Sequence, residues 1–272
     1  HRDGDHRGHE HHPRTINTIF GELRLIVRSA IQDQVMTIPD PIAGIRPLAT
    51  PRRRIDCYSS AELMTLLDAA EPPYRAMLAL AGLAGLRKGE VLALGQADID
   101  LEAGVIHVQR SLQIRSRILT ETQRLGRTKT PAGVRDVPIR DRLRPILETH
   151  LDSHARPNKL GLAFTDRRGA FIESMELQCH GMLPAIELAK LRRLSFHNLR
   201  VCFLTHCAEA GVPLPILAGW AGHATLRSTD YYVHSTPSVQ RRALMRLARY
   251  DLDLNEVKPY LQLEKLREGM FW

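Results

Sequence analysis

The segment PYRAMLALAGLAG, Pro73–Gly85, decides how this chain folds. It is apolar on nearly every side of a helix, so the helix that it predicts is buried in the interior of a domain. Just upstream, Ser59 and Glu62 have the S-x-x-E spacing of a capping box, which predicts a helix from there to about Ala70. The helical pattern of apolar residues recurs farther along the chain. It covers residues 141–155, 174–191, 197–210, 213–219, 225–233 and 238–249.

Between these helices the sequence has three short β patterns. Asp98–Asp100 and Val105–Val108 are predicted as strands, with a turn at Ala103–Gly104 between them. Val134–Ile139 is predicted as a third strand, which follows a loop around residues 126–133. The fold class is therefore predicted as α+β: a mainly helical domain with one small antiparallel β-sheet.

Proline and charge patterns divide the chain into five segments. The second segment contains an amphipathic helix from Thr15 to about Gln34, and the third is rich in proline and is predicted to be extended. We expect this single helix before the linker to be the remnant of another helical unit. The segments are 1–13, a disordered polar tail; 14–37, the helix; 38–56, the linker; 57–250, the main domain; and 251–272, a tail with loosely helical spacing.

The composition of the 272 residues excludes several classes of protein. With 43% hydrophobic and 25% charged residues, the chain has the balance of an ordinary globular protein. The longest apolar run, Ala76–Leu86, is too short to cross a membrane, so no membrane partner is expected. The four cysteines form no C-x-x-C pair, and no Asp, Glu or His cluster has the spacing of metal ligands. We therefore expect a cytoplasmic protein with no metal ion and no cofactor.

The charge is concentrated in one part of the chain. The net charge is +8, and residues 110–144 contain ten basic and three acidic side chains. One explanation is a solvated, charged loop. The other is a surface that follows the phosphates of a nucleic acid.

Three polar motifs stand apart from the apolar patterns. Gly85-Leu-Arg87-Lys-Gly-Glu90 follows the buried helix, and there Arg87 could simply cap carbonyl groups or pair with an acid. Ser195-Phe-His197-Asn-Leu-Arg200 opens another helix, whose free N–H groups suit a phosphate oxygen, although a buried histidine with an arginine at the rim is the plainer alternative. The third motif contains Gly222-His223 and, farther on, Tyr231-Tyr232, a pattern that could be ordinary packing or an activated oxygen nucleophile.

Taken together and in order, these motifs resemble the tyrosine recombinase (phage integrase) family. The order is GLR-x-x-E, a lysine in Thr128-Lys129-Thr130, H-x-x-R, Gly-His, and a tyrosine nine residues after that histidine. The match extends from about Arg54 to Arg249. The family resemblance makes residues 57–250 a catalytic domain and residues 14–37 the last helix of a truncated core-binding domain.

The resemblance also implies a role for each matching residue. Arg87 and Arg200 would grip the non-bridging oxygens of one DNA phosphate, because guanidinium offers a planar fork of donors. Tyr232 would attack phosphorus and form a 3′-phosphotyrosyl bond, and Lys129 would protonate the 5′-oxygen that leaves. The other implied roles are a general base or proton relay for His197, a hydrogen bond to the phosphate for His223, and structural support for Glu90. With DNA as the substrate, the basic segment 110–144 and the basic end of the linker are interpreted as a DNA clamp, with phosphate contacts from Arg52, Arg53, Arg54, Arg127 and Arg135.

The implied function is site-specific DNA recombination or integration, independent of metal ions and ATP. The implied partners are double-stranded DNA with specific recombination sites, three further copies in a homotetramer, and accessory DNA-bending proteins. Residues 251–272 would dock on a neighbouring subunit, and the protein would lie in a bacterial cytoplasm, associated with the nucleoid. Two alternatives stay open: a nicking-closing enzyme like the type IB topoisomerases, and a non-catalytic DNA-binding regulator that uses residues 197–219 as a helix-turn-helix.

Overall fold

The computed structural model describes residues 11–50, 56–113, 124–127, 133–225 and residue 229. The chain separates into two compact units, His1–Arg54 and Ile55–Trp272. This boundary lies inside the proline-rich segment that the sequence marks as a linker. Among the described residues, no helix is long and apolar enough to span a membrane.

The first unit is built on one helix, α1 (Pro13–Gln32). The segment that follows it returns alongside the helix: the Asn17 side chain accepts a hydrogen bond from the Leu48 backbone N–H at 2.8 Å and donates one to the Leu48 carbonyl at 2.9 Å. Arg24 donates to the Ile45 carbonyl in the same way. The prolines therefore keep the segment after α1 free of helix and strand, and side chains of α1 supply hydrogen-bond partners for its backbone.

The core of the second unit is built around the helix that the sequence predicts to be buried. The helix α3 (Tyr74–Ala84) is buried from Ala76 to its end, and Gly85 closes it with a left-handed φ of +71°. A Cβ at Gly85 would lie 2.3 Å from the Phe203 ring. Glycine is therefore required here both for the turn and for the close approach of the helix that carries Phe203.

Short helices and strands surround this core. The helix α2 (Ser60–Ala69) has the predicted capping box between Ser59 and Glu62. The other elements follow in chain order. They are α4 (Lys88–Leu92), β1 (Ile99–Asp100), β2 (Val105–Val108), β3 (Arg110–Leu112), β4 (Leu125–Arg127), β5 (Arg135–Pro138), α5 (Arg144–Ser153), α6 (Ser174–Glu176), a π-helical turn (Leu177–Met182), α7 (Leu183–Leu188), α8 (Phe196–Ala210) and α9 (Leu214–Ala221).

The predicted sheet is present and antiparallel, with strand order β1-β2-β5. Ile106 at its centre lies opposite both Ile99 and Val137, so the inner face of the sheet is apolar and packs on the helices. A second pair, β3 with β4, was not predicted, because Leu125–Arg127 has no alternating apolar pattern. The α+β fold class is confirmed. The helices predicted over 225–233 and 238–249, like the tail 251–272, fall outside the described residues, except that residues 225 and 229 are described.

Candidate active site

Three arginines from different elements meet at the C-terminal end of α9. The last carbonyl groups of a helix lack partners within the helix and carry partial negative charge, so guanidinium groups are stabilised there. Each of three consecutive backbone carbonyls accepts a hydrogen bond from a different arginine. The Trp220 carbonyl accepts from Arg135 Nε at 2.7 Å, the Ala221 carbonyl from Arg200 Nη2, and the Gly222 carbonyl from Arg87 Nη2 at 2.8 Å.

Glu90 joins two of these arginines from the opposite side. It lies in the first turn of α4, where its Oε2 accepts from the Arg87 backbone N–H and its Oε1 from Arg87 Nη1, both at 2.7 Å. Arg135 makes a two-pronged contact with the same carboxylate, at 3.0 and 2.8 Å. The side chains of Glu90 and Arg135 are 2% and 5% exposed. This is a buried, bidentate ion pair, with the half-exposed Arg87 at its edge.

The two arginines keep Glu90 ionised. Burial by itself raises the pKa of the Glu90 carboxyl, but the hydrogen bonds and charges of Arg135 and Arg87 outweigh it and lower the pKa to about 2. Glu90 thus carries one negative charge against the three guanidinium groups of Arg87, Arg135 and Arg200. As a set, these four side chains are positive and favour an anion.

Arg200 reaches the cluster from the first turns of α8. Ser195 and Asn198 form the capping arrangement that begins this helix. Arg200 is buried, and its Nη1 donates to the Gly85 carbonyl at 2.5 Å, at the end of α3. The packing of α3 against α8, which Gly85 permits, therefore sets where this guanidinium lies.

His223 follows α9 directly, and its tautomer can be assigned. Its Nε2 lies 3.0 Å from Arg200 Nη2, and a guanidinium can only donate, so this ring nitrogen carries no proton. Burial and the charges of Arg200, Arg87 and Arg135 lower the pKa of His223 to about 4. The ring is therefore neutral near pH 7, its proton is on Nδ1, and Nδ1 donates to Thr229 Oγ1 at 2.7 Å. For Nε2 to donate to a phosphate, the ring must either gain a second proton or carry its proton on Nε2 instead of Nδ1. In the second case the hydrogen bond with Thr229 reverses, and the Thr229 hydroxyl becomes the donor.

His197 lies on the open side of the cluster. It is exposed on the first turn of α8, three residues before Arg200. Partial desolvation and the charges of Arg200 and Arg87 lower the pKa of His197, so it is a neutral proton acceptor near pH 7. Exposed His197 and half-exposed Arg87 mark the side from which an anion from solvent can reach the buried part of the cluster.

The structure brings most of the predicted motif residues together. Arg87, Glu90, Arg200 and His223 share one hydrogen-bonded cluster with His197 beside it. Arg127 ends β4 opposite Arg110, and its DNA contact stays a prediction. The predicted residues Lys129, Tyr232, Arg52, Arg53 and Arg54 lie outside the described residues, as does Tyr231. Within the described residues, no group of three or more His, Cys, Asp or Glu side chains could hold a metal ion.

Arg135 has a different place from the one expected. The sequence assigns it to the DNA contacts because it lies in the basic stretch, but its guanidinium is buried and bonded to Glu90 and to the Trp220 carbonyl. All three guanidinium nitrogens of Arg135 bond to Glu90 or to the carbonyls of Gly133 and Trp220, which fits a positioning role, and its DNA contact stays a prediction. Thr229, fully buried against His223, was also missed, since a single threonine six residues after a histidine carries no signal of its own.

Comparison with known protein families identifies the family to which this chain belongs. The model of the phage integrase family matches residues 58–238, which include α2 to α9 and all the clustered side chains. The chain belongs to this family. Among curated relatives, it is 29% identical over 235 residues to the prophage phiRv2 integrase of Mycobacterium tuberculosis strain H37Rv, covering 85% of this chain and 60% of that protein. It is 27% identical over 259 residues to a XerC-like tyrosine recombinase of Caldanaerobacter subterraneus, covering 86% of this chain and 66% of that protein.

Solved structures of the family have the same fold. The Tn1549 transposon integrase in complex with transposon right end DNA matches with a TM-score of 0.71 and 20% identity, over 88% of this chain and 81% of that one. The XerA recombinase matches with a TM-score of 0.57 and 19% identity, over 79% and 70%. The fold is thus that of a tyrosine recombinase catalytic domain. The chain spans about 60% of the length of the first curated relatives that it matches.

Proposed function

We propose that this chain is the catalytic part of a site-specific DNA recombinase that cuts and rejoins DNA strands through a 3′-phosphotyrosyl intermediate. One observation carries the proposal: α9 gathers Arg87 and Arg200 beside His223, in a member of the phage integrase family. The substrate is double-stranded DNA with specific recombination sites. The Tn1549 integrase, whose fold is similar, is bound to transposon DNA in its structure.

Arg87 and Arg200 bind the phosphate that is to be cut. Arg87 is half-exposed and has further N–H donors beyond those that bond to Glu90 and to the Gly222 carbonyl, since a guanidinium carries five. In the pentacovalent transition state negative charge grows on the non-bridging oxygens, and fixed guanidinium charges stabilise it more than they stabilise the ground state. Arg135 and Glu90 act indirectly, because they hold Arg87 in place.

Two proton transfers accompany the cleavage step. Tyr232 loses its phenolic proton as its oxygen attacks phosphorus, and neutral His197 is the acceptor or relay. Lys129 gives a proton to the 5′-oxygen as its bond to phosphorus breaks. His223 then bonds a phosphate oxygen through Nε2, with Thr229 reversing its hydrogen bond so that its hydroxyl donates to Nδ1. The covalent link conserves the energy of the phosphodiester, so religation needs neither ATP nor a metal ion.

In this proposal the active assembly is a homotetramer on two DNA sites, helped by accessory DNA-bending proteins. The protein works in the cytoplasm of a bacterium, at the nucleoid. The basic residues Arg52, Arg53, Arg54 and Arg127 add phosphate contacts, which give affinity and a steep dependence on salt.

A suicide substrate tests the function. The probe is a nicked duplex that carries the junction sequences flanking the gene in its genome; after cleavage its short fragment diffuses away and religation is blocked. We expect a covalent complex stable to denaturant, formed equally with chelator and without ATP. Specific binding without any adduct would contradict the proposal and favour a regulator. Nicking and closing without exchange between two duplexes would favour a topoisomerase-like enzyme.

Replacing Lys129 by Ala should slow cleavage of an ordinary phosphodiester strongly, because the 5′-oxygen then leaves without a proton. A substrate with sulfur at the 5′-bridging position should restore the rate, since a thiolate leaves unprotonated. The measurement is the adduct yield against time on both substrates, with Lys159→Ala as a control at an unrelated lysine. Equal slowing on both substrates would mean that Lys129 has another role.

Deleting residues 251–272 should weaken tetramer formation on DNA more than binding to a single site. The leucines and valine of this tail, Leu252, Leu254, Val257 and Leu261, predict an apolar face that docks on a neighbouring subunit. Light scattering of the DNA complex measures assembly, and gel shift measures single-site binding. Unchanged assembly with the shortened chain would rule out the docking role.

A further inference from the structure

We propose that Cys57 and Cys202 are a redox-sensitive pair that forms a disulfide when the protein meets a hydroperoxide. The two residues are far apart in sequence. Cys57 precedes the capping residue of α2, whereas Cys202 lies on α8, two residues after Arg200. The site is independent of the proposed DNA chemistry and uses neither Arg87 nor His223.

The backbone geometry brings the two cysteines together. The backbone N–H of Tyr58 donates to Cys202 Sγ at 3.2 Å. In a peptide this nitrogen is only about 2.4 Å from the Cα of the preceding residue, here Cys57. The Cys202 sulfur is therefore close to the Cys57 backbone, and the two thiols are within hydrogen-bonding reach of each other. This proximity fits the short Cα–Cα separation that a disulfide requires.

The two thiols differ in access and in acidity. Cys202 is fully buried, while Cys57 is half-buried and open to a small oxidant. The hydrogen bond with Cys202 lowers the pKa of Cys57 to about 7 despite partial burial, and the charge of Arg192 adds to this effect while that of Glu209 on α8 opposes it. Arg192 is fixed beside it by a hydrogen bond to the Cys57 carbonyl and by contacts with Asp56 and Glu62. Cys57 is thus the attacking thiolate and Cys202 the resolving thiol.

The chemistry balances with a hydroperoxide as the oxidant. The Cys57 thiolate attacks the outer peroxide oxygen, which gives a sulfenic acid and, after proton uptake, water or an alcohol. The Cys202 thiol then attacks the sulfenic sulfur and the hydroxyl leaves as water. Two thiols are oxidised by two electrons, and one peroxide bond is reduced. The product links the start of the domain to the helix that carries His197 and Arg200.

The test uses the full chain, hydrogen peroxide and peptide mapping after alkylation of free thiols. We expect a peptide in which Cys57 and Cys202 are cross-linked, and dithiothreitol should cleave this cross-link. Cys179 and Cys207 should appear in no cross-linked peptide, either alkylated or oxidised singly. The melting temperature should rise by about 10 °C on oxidation, because a loop of more than a hundred residues is closed. The cross-linking rate should rise about tenfold from pH 6 to pH 8 and then level off, as expected for a thiol with this pKa.

The controls separate this pair from the other cysteines. Cys57→Ser, at a half-buried position, should keep the fold but lose both the cross-link and the rise in melting temperature. Cys179→Ser, at an exposed position, should behave like the unchanged chain. A different cross-link, oxidation of Cys57 to sulfinic acid without a cross-link, or a rate that still climbs steeply above pH 8 would overturn the proposal.

Discussion

Tyr232→Phe is expected to bind its DNA site as tightly as the unchanged chain and to form no covalent adduct. A phenol with an ordinary pKa near ~10 is a poor nucleophile at neutral pH. The positive field of Arg87, Arg200 and their neighbours favours the phenolate as it attacks. Removing the hydroxyl removes the reacting atom and leaves the phosphate-binding groups in place. Denaturing gels on the nicked substrate measure the adduct, and gel shifts measure the binding.

Tyr231→Phe is the matched control, and it should still form the adduct. In the helix that the sequence predicts here, adjacent side chains point about 100° apart, so only one of the two can face the phosphate. The family spacing of nine residues from His223 selects Tyr232. Peptide mapping of the trapped complex places the phosphate on one ring. Adduct on Tyr231, or adduct in Tyr232→Phe, would reverse the assignment.

Glu90→Ala should lower the free energy of unfolding by about 3–5 kcal/mol, because it leaves the buried guanidinium of Arg135 without its carboxylate. Glu90→Ala combined with Arg135→Met should recover most of this loss, since no unpaired buried charge remains. Asp68→Ala is the control: this exposed carboxylate pairs with the half-exposed Arg75, and its loss should cost at most about 1 kcal/mol. Urea unfolding measures all four proteins. A loss at Glu90 no larger than at Asp68 would contradict the positioning role.

The pH dependence gives a second measurement of the same carboxylate. The pKa of Glu90 falls from 4.5 to about 2 on folding, so its ionised form stabilises the folded chain, by about 3 kcal/mol. This contribution is complete above the unfolded pKa and is lost as the pH falls through the folded one. The difference in stability between the unchanged chain and Glu90→Gln should therefore be constant from pH 5 to 8 and shrink between about pH 4 and pH 2. A difference that already shrinks at pH 6 would contradict the assignment.

The sequence predicts those parts of the fold and site that depend on nearby residues. The capping box of Ser59 and Glu62 and the all-round apolar pattern of Pro73–Gly85 are local signals, and both helices form where expected. The contact of Arg87 with Glu90, three residues apart, is local as well. Sequence spacing is enough in these cases because a helix fixes which side chains are neighbours.

Sequence reasoning fails where contacts depend on the fold. Arg135 pairs with Glu90 across 45 positions, and charge counting cannot tell a buried arginine from one on the surface. The β3–β4 pair joins strands of mixed character whose pairing no local pattern specifies. The carbonyls of Trp220, Ala221 and Gly222 have no side-chain signature at all, although they position three arginines.

The end of α9 has a consequence for the proposed reaction. The backbone that holds the three arginines continues directly through His223 to Tyr232, ten residues after Gly222. In the proposed mechanism, binding of the phosphate and delivery of the Tyr232 nucleophile are therefore thermodynamically linked through this short stretch of sequence. On this proposal, we expect that displacing this stretch weakens phosphate binding by Arg87 and Arg200 and withdraws Tyr232 at the same time. The connectivity of the chain would then disfavour a state in which the phosphate is bound but the tyrosine is absent.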